Sequence, residues 1–244
     1  MADAIEWDRV RLPNGKTKLV SVGNDGEWSI IPVISMGGNE YWCDWRLCFR
    51  PTSPASRENI FREHYYNGAP RLSREAAALR HAHLGYEIPL HGTFWSEEAA
   101  IIATNTLVFG DPTGSTADIL AAAGFVADGL PCPDTYRGKP LLEQEYRKEM
   151  IGGAFKLNFG NWANLIFDIA DRPKSEEPWE IGNVCRDAGS SNRFPIFWPQ
   201  TIEDNFQVLA LRAVLAVMDR YIASGELALD IRDCKRPSTV SLPG

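Results

Sequence analysis

The chain has 244 residues, of which 44% are hydrophobic and 23% are charged, with a formal net charge of -7 and a pI near 5.2. This is the composition of an ordinary globular protein, and the length allows a sizeable core without disulfides. The acidic balance argues against a broad nucleic-acid interface and against an anionic membrane surface.

Two further features bear on the compartment. The start of the sequence, MADAIEWDRV, lacks the basic-then-apolar pattern of a secretory signal. The cysteines are odd in number and have no CxxC spacing; they are Cys43, Cys48, Cys132, Cys185 and Cys234. We therefore expect reduced thiols in a cytoplasmic protein that does not contact a membrane.

Residues 1–50 predict an antiparallel β-meander. Asn14-Gly15 and Asn24-Asp25-Gly26 are hairpin turn signals between short apolar runs. Residues 40–50 then alternate between apolar and polar side chains, as a half-buried strand does.

Residues 51–150 predict a mainly helical region, with helices over 55–66, 74–84, 96–108, 116–126 and 141–150. The helix over 96–108 starts at Ser96, and Glu97 and Glu98 suit its first turn, where the helix dipole favours negative charge. In the last helix, Glu143 and Arg147 have the spacing of a favourable ion pair. Glu143, Glu145 and Glu149 therefore predict a solvated helix face rather than an acid–base pair.

Residues 151–199 predict strands over 154–159 and 163–169, followed by an irregular stretch over 171–199 that contains four prolines: Pro173, Pro178, Pro195 and Pro199. Residues 200–225 predict a core helix, because apolar residues cover almost its whole circumference. Arg212, Asp219 and Arg220 interrupt it too often for a membrane span. Residues 230–244 predict a tail.

Together these patterns predict one α+β domain over residues 1–244. An N-terminal antiparallel sheet packs on several helices, with a long buried C-terminal helix.

The histidines suggest one possible chemistry. His64, His81, His83 and His91 lie close together in the sequence with Glu63 and Glu87, and imidazole and carboxylate are ligands of zinc. A metal-dependent hydrolase or nuclease is therefore one functional hypothesis. On a helix over 74–84, however, His81 and His83 point about 200° apart, so we expect neither a bound metal nor another cofactor.

The loop GDPTGST, residues 110–116, contains glycines and precedes a predicted helix, as a phosphate-binding loop does. It lacks the lysine and the glycine spacing of the Walker A motif. We interpret it as an ordinary loop that starts a helix.

The second functional hypothesis depends on the aromatic stretch near residue 199. Residue types that dominate binding hot spots occur there: Trp179, Arg193, Phe194, Phe197 and Trp198. They either bind a partner or pin a long loop to the core, and the sequence leaves both alternatives open. Since no catalytic set is readable, the sequence favours a non-catalytic protein that binds another protein. Toxin-neutralising, phage-accessory and assembly components are examples of that class.

Overall fold

The structure, a computed structural model, describes residues 4–12, 15–32, 45–51, 90–136, 139–170, 179–186 and 198–225. The predicted helices over 55–66 and 74–84, and the predicted tail over 230–244, lie outside the described residues.

Ten strands form one antiparallel sheet. In chain order they are β1 (Asp8–Arg11), β2 (Thr17–Val22), β3 (Gly26–Pro32), β4 (Trp45–Pro51), β5 (Leu90–Phe94), β6 (Val126–Tyr136), β7 (Lys139–Met150), β8 (Gly153–Phe159), β9 (Trp162–Ile169) and β10 (Trp179–Cys185). Their order across the sheet is β1-β2-β3-β4-β5-β10-β9-β8-β7-β6. The sheet thus consists of two meanders, β1 to β5 and β6 to β10, which join where β5 pairs with β10.

Four helices are described: α1 (Glu97–Phe109), α2 (Thr116–Ala122), α3 (Gln200–Asp204) and α4 (Phe206–Ala223). Helix α1 packs on β3, β4 and β5, whereas α4 packs on β9 and β10. The two helices also pack against each other, so they form one layer over the middle of the sheet. Helix α1 begins within one residue of the predicted start, and Ser96 is its cap, because its Oγ accepts a hydrogen bond of 3.0 Å from the backbone N–H of Ala99.

The core lies between this helix layer and the sheet. Phe155 on β8 and Phe167 on β9 each place their ring 6.3 Å from the ring of Tyr221 on α4. Gly182 on β10 faces the same layer, and a Cβ there would lie 3.0 Å from the ring of Phe94 and 3.4 Å from Val217 of α4. A glycine at this position therefore lets the helix approach the sheet closely.

The predicted fold class is wrong. The sequence predicted a sheet packed on several helices, but the described part of the chain is mostly sheet, with few helices. The largest error covers residues 126–150, where β6 and β7 replace a predicted connection and a predicted helix. Strand β6 lies at the edge of the sheet. Pro131 and Pro133 lack a backbone N–H, and an edge strand tolerates them because one of its sides pairs with no other described strand.

Pairing with both neighbours makes β7 a strand despite its helix-favouring residues, since tertiary context overrides propensity. Consequently the predicted i,i+4 pair of Glu143 and Arg147 is absent. Arg147 Nε instead donates to Glu149, two residues along and on the same face of the strand. That hydrogen bond raises the pKa of the Arg147 guanidinium.

The C-terminal helix is shorter than predicted but buried. Asn205 leaves helical geometry (φ -120°, ψ 19°) and separates the short α3 from α4. Gly225 has φ +78°, the left-handed conformation expected of a glycine just beyond a helix end. Most of α4 is buried, and no helix in the described part of the chain is both long and apolar enough to cross a membrane.

We predict that Leu211→Ala, which empties a fully buried site on α4, lowers the free energy of unfolding by about 2 to 5 kcal/mol. Leu130→Ala is the matched control, because Leu130 is 93% exposed on β6. Chemical denaturation of both variants measures the difference. Equal stability of the two variants would show that α4 is not part of the core.

Candidate functional site

The structure places Trp198 inside the protein. Its side chain is buried, and its indole Nε1 donates a hydrogen bond of 3.1 Å to the backbone carbonyl of Cys185. Its ring centroid lies 4.6 Å from that of His91, 6.1 Å from that of Trp28 and 5.5 Å from that of Phe206. These contacts favour the alternative in which Trp198 pins the chain to the core.

The other residues of the predicted contact stretch are less informative. Trp179 lies on β10, paired with Phe167, but its side chain is not among those described. Arg193, Phe194 and Phe197 lie outside the described residues. Of the five predicted contact residues, Trp198 is therefore the one whose side-chain surroundings the structure describes.

The predicted metal cluster is represented in the described residues by His91 alone. His91 is fully buried, and its Nδ1 accepts a hydrogen bond of 3.1 Å from the backbone N–H of Phe49. Its ring packs edge-on against Trp198 and Phe49. His91 therefore has the surroundings of a core histidine, with one ring nitrogen already engaged. The remaining residues of the predicted cluster, His64, His81, His83 and Glu87, lie outside the described residues.

No group of three or more His, Cys, Asp or Glu side chains that could hold a metal ion occurs in the described ranges.

An open groove lies next to the Trp198 cluster. It has a volume of about 270 Å³ and is bounded by the β2–β3 turn, the end of α1 and the chain from Pro199 to Ile202. Trp28 and Phe49, which also contact each other with ring centroids 4.6 Å apart, form its aromatic floor. We call this feature the Phe109 groove.

Large apolar side chains stand exposed at the rim of the Phe109 groove. Phe109 is 48% exposed and Val108 is 36% exposed, both at the last turn of α1. Asn24, Asp25 and Thr201 contribute the polar side of the rim. The groove therefore combines an aromatic floor, exposed apolar groups and a polar margin, as interaction sites do.

Sequence reasoning missed the Phe109 groove because its walls come from distant parts of the chain. Trp28, Phe109 and Ile202 meet at the groove because α1 packs on β3 and β4 and the segment from Pro199 to Ile202 lines the same groove. One local signal was available in the sequence. Phe109 is the last residue before the helix-ending Gly110, so few residues of its own helix can cover its ring.

The loop over residues 110–116 serves the fold. Arg212 of α4 donates a hydrogen bond of 3.0 Å to the carbonyl of Thr113 and lies 3.7 Å from the Asp111 carboxylate. Thr113 donates from its hydroxyl and its backbone N–H to Asp111, and these two hydrogen bonds lower the pKa of that carboxyl. The loop is thus tied to α4, and α2 begins directly after it, as an ordinary helix-start loop would.

Beyond this loop, a cleft of about 640 Å³ separates α2 from α4. Lys148 of β7 and Asp219 of α4 are among its lining residues, together with Leu215 and Met218. Its polar side chains include both acidic and basic groups. In the described structure these groups do not converge on one point where a substrate atom could react.

Comparisons with protein-family models, with curated proteins and with solved structures found no match to this chain.

We predict that His91→Phe lowers stability by about 1 to 3 kcal/mol, because it leaves the buried N–H of Phe49 without its acceptor. The melting temperature of the wild-type protein should not change when EDTA is added. If instead EDTA lowered wild-type melting to the level of the variant, His91 would be a metal ligand rather than a core histidine.

Proposed function

We propose that this chain is a non-catalytic cytoplasmic protein that acts by binding another protein through the Phe109 groove. The observation that carries the proposal is a half-exposed phenylalanine at the rim of an aromatic-floored groove. Val108 and Phe109 are exposed neighbours that continue the apolar lining of the groove to the surface, and contiguous exposed apolar patches mark interaction sites. Phenylalanine is also among the residues enriched at protein interfaces.

The support extends to the predicted contact stretch. Pro199 and Ile202, at and just beyond its end, line the groove, and Trp198 holds this part of the chain against β3 and β5. The predicted stretch thus ends at the groove even though its last tryptophan is internal. A groove walled by packed helices and strands is already shaped for a partner, which lowers the ordering cost of binding.

The cytoplasmic assignment is supported by the thiols. Cys132 is exposed, and its thiol is free. An exposed free thiol suits a reducing compartment. Within the class of binding proteins, toxin-neutralising, phage-accessory and assembly components all remain proposals of equal standing. The hydrolase alternative gains no support from His91, whose imidazole belongs to the aromatic core.

We predict that Phe109→Ala weakens partner binding by about 2 kcal/mol, the scale of an interface hot spot, and leaves the melting temperature nearly unchanged. The tagged wild-type protein first captures partners from an extract of its native host. Binding of the recovered partner to each variant is then measured by titration.

Ile151→Ala is the matched control, because Ile151 is 96% exposed in the β7–β8 turn, away from the groove. It should bind the partner as the wild type does. Equal binding by all three proteins would place the interface elsewhere, and a loss of binding by Ile151→Ala alone would place it at the β7–β8 turn.

A further inference from the structure

The open cleft between α2 and α4 is lined by charged side chains from three separate elements. Asp118 lies on α2 and Lys148 lies on β7, whereas Arg212 and Asp219 both lie on α4. The volume of the cleft, about 640 Å³, is within the range of small-molecule sites. Two acidic and two basic side chains give its lining a formal charge of zero. We call it the Lys148 cleft.

Lys148 stands on the side of the sheet that faces the helices. It lies directly opposite Phe155 on β8, and residues that are directly opposite share a face of the sheet. Phe155 packs against Tyr221 of α4. The chain just beyond α2 lies near the lysine, because a Cβ at Gly124 would be 3.8 Å from Lys148 Cε. Lys148 is therefore half-buried at the base of the cleft.

The fold does not neutralise the charges of Lys148 and Asp219. Within the described part of the chain, neither side chain forms a hydrogen bond or an ion pair. Arg220, the neighbour of Asp219 on α4, pairs with Glu98 of α1 instead. A half-buried charge without a counter-ion loses hydration that nothing replaces. Asp219 is exposed, so a ligand in the cleft can reach its carboxylate.

Apolar side chains lie between the charged ones. On α4, Arg212, Leu215 and Asp219 are separated by three and then four residues, so they follow one face of the helix. The two charged residues lie about 10 Å apart along the helix axis. Ile119 of α2 and Met218 of α4 belong to the same lining. The cleft therefore has an apolar surface between groups of opposite charge.

We propose that the Lys148 cleft binds a small zwitterion with an apolar side chain, the chemistry shared by free α-amino acids and short peptides. The ligand's carboxylate accepts from the Lys148 ammonium group, and the ligand's ammonium group donates to the Asp219 carboxylate. Hydrogen bonds between charged groups are the stronger ones. The apolar side chain packs on Leu215 and Met218. Since an extended chain covers about 3.5 Å per residue, two or three residues fit along α4 between Arg212 and Asp219.

Other ligand classes fit the Lys148 cleft less well. A dicarboxylate or a phosphate ester would be attracted by Lys148 but repelled by Asp118 and Asp219. A metal cation would be repelled by Lys148 and Arg212 in the same way. A neutral apolar ligand would cover Lys148 without supplying a counter-ion. A ligand that carries both charges matches both kinds of side chain.

Isothermal titration calorimetry tests the two charges of the ligand one at a time. The first probes are leucine and dileucine, and the one that binds more tightly identifies the source of the zwitterion. That probe is then compared with its C-amidated form, which lacks the carboxylate, and with its N-acetylated form, which lacks the ammonium group. Each blocked form should bind roughly tenfold or more weakly, because it loses one contact between charged groups.

Two variants assign these contacts to residues. Lys148→Met removes the ammonium group but keeps a long side chain, and it should weaken binding of the zwitterion roughly tenfold or more without affecting the amidated probe. Asp219→Asn should weaken binding of the zwitterion similarly without affecting the acetylated probe. Lys16→Met is the matched control, because Lys16 is exposed directly before β2, at the other end of the sheet. It should bind like the wild type.

Melting temperatures separate ligand binding from a structural role. Lys148→Met breaks no hydrogen bond or ion pair of the described structure, so it should melt at or above the wild-type temperature. Phe109→Ala should bind the zwitterion as the wild type does, which separates this proposal from the proposed function. The proposal is overturned if neither leucine nor dileucine binds, if the blocked forms bind as tightly as the free one, if both cleft variants bind like the wild type, or if Lys148→Met melts well below it.

Discussion

The pairing of β5 with β10 is the interaction on which the rest of the structure depends. It is short, with Phe94, Thr93 and Gly92 opposite Gly182, Asn183 and Val184. Every other described strand belongs to one of the two meanders that this pair connects. A Cβ at Gly92 would lie 2.4 Å from the carbonyl oxygen of Asn183, so only a glycine allows the two strands to approach at this point.

The helix layer strengthens this short joint. Trp95, directly after β5, donates its backbone N–H to Ile181 of β10 over 3.2 Å, and its ring packs edge-on against Tyr221 of α4 at 5.4 Å. Helix α1 therefore starts where the joint ends, and α4 packs on β10 and β9 within the same helix layer. The packing of α1 on α4 holds the two meanders together across an apolar interface, while the strand pair sets their register.

The two faces of the sheet have different consequences. On the helix side, α1 ends with Phe109 beside the β2–β3 turn, so the helix layer leaves an apolar groove at its margin. On the other side, the common register aligns polar residues from strands that are far apart in the chain.

Local signals in the sequence predicted several elements. The acidic pair Glu97 and Glu98 after Ser96 located the start of α1, and the strands predicted over 154–159 and 163–169 correspond to β8 and β9. The sequence of β7 was misread because Leu, Glu and Lys favour a helix, and only the neighbours β6 and β8 make it a strand. The Phe109 groove was not predictable, since it depends on which strands, helix end and chain segment become neighbours in the fold.

Hydrogen exchange followed by mass spectrometry tests the central joint most directly, because exchange reports which parts of a fold open together. Peptides that cover β5 and β10 should exchange as slowly as those of α4, β8 and β9, since opening the joint requires unfolding the helix layer. The exposed edge strand β6 should exchange much earlier. Early exchange of β5 and β10, while β3, β4, β8 and β9 stay protected, would show two independent meanders and contradict the account.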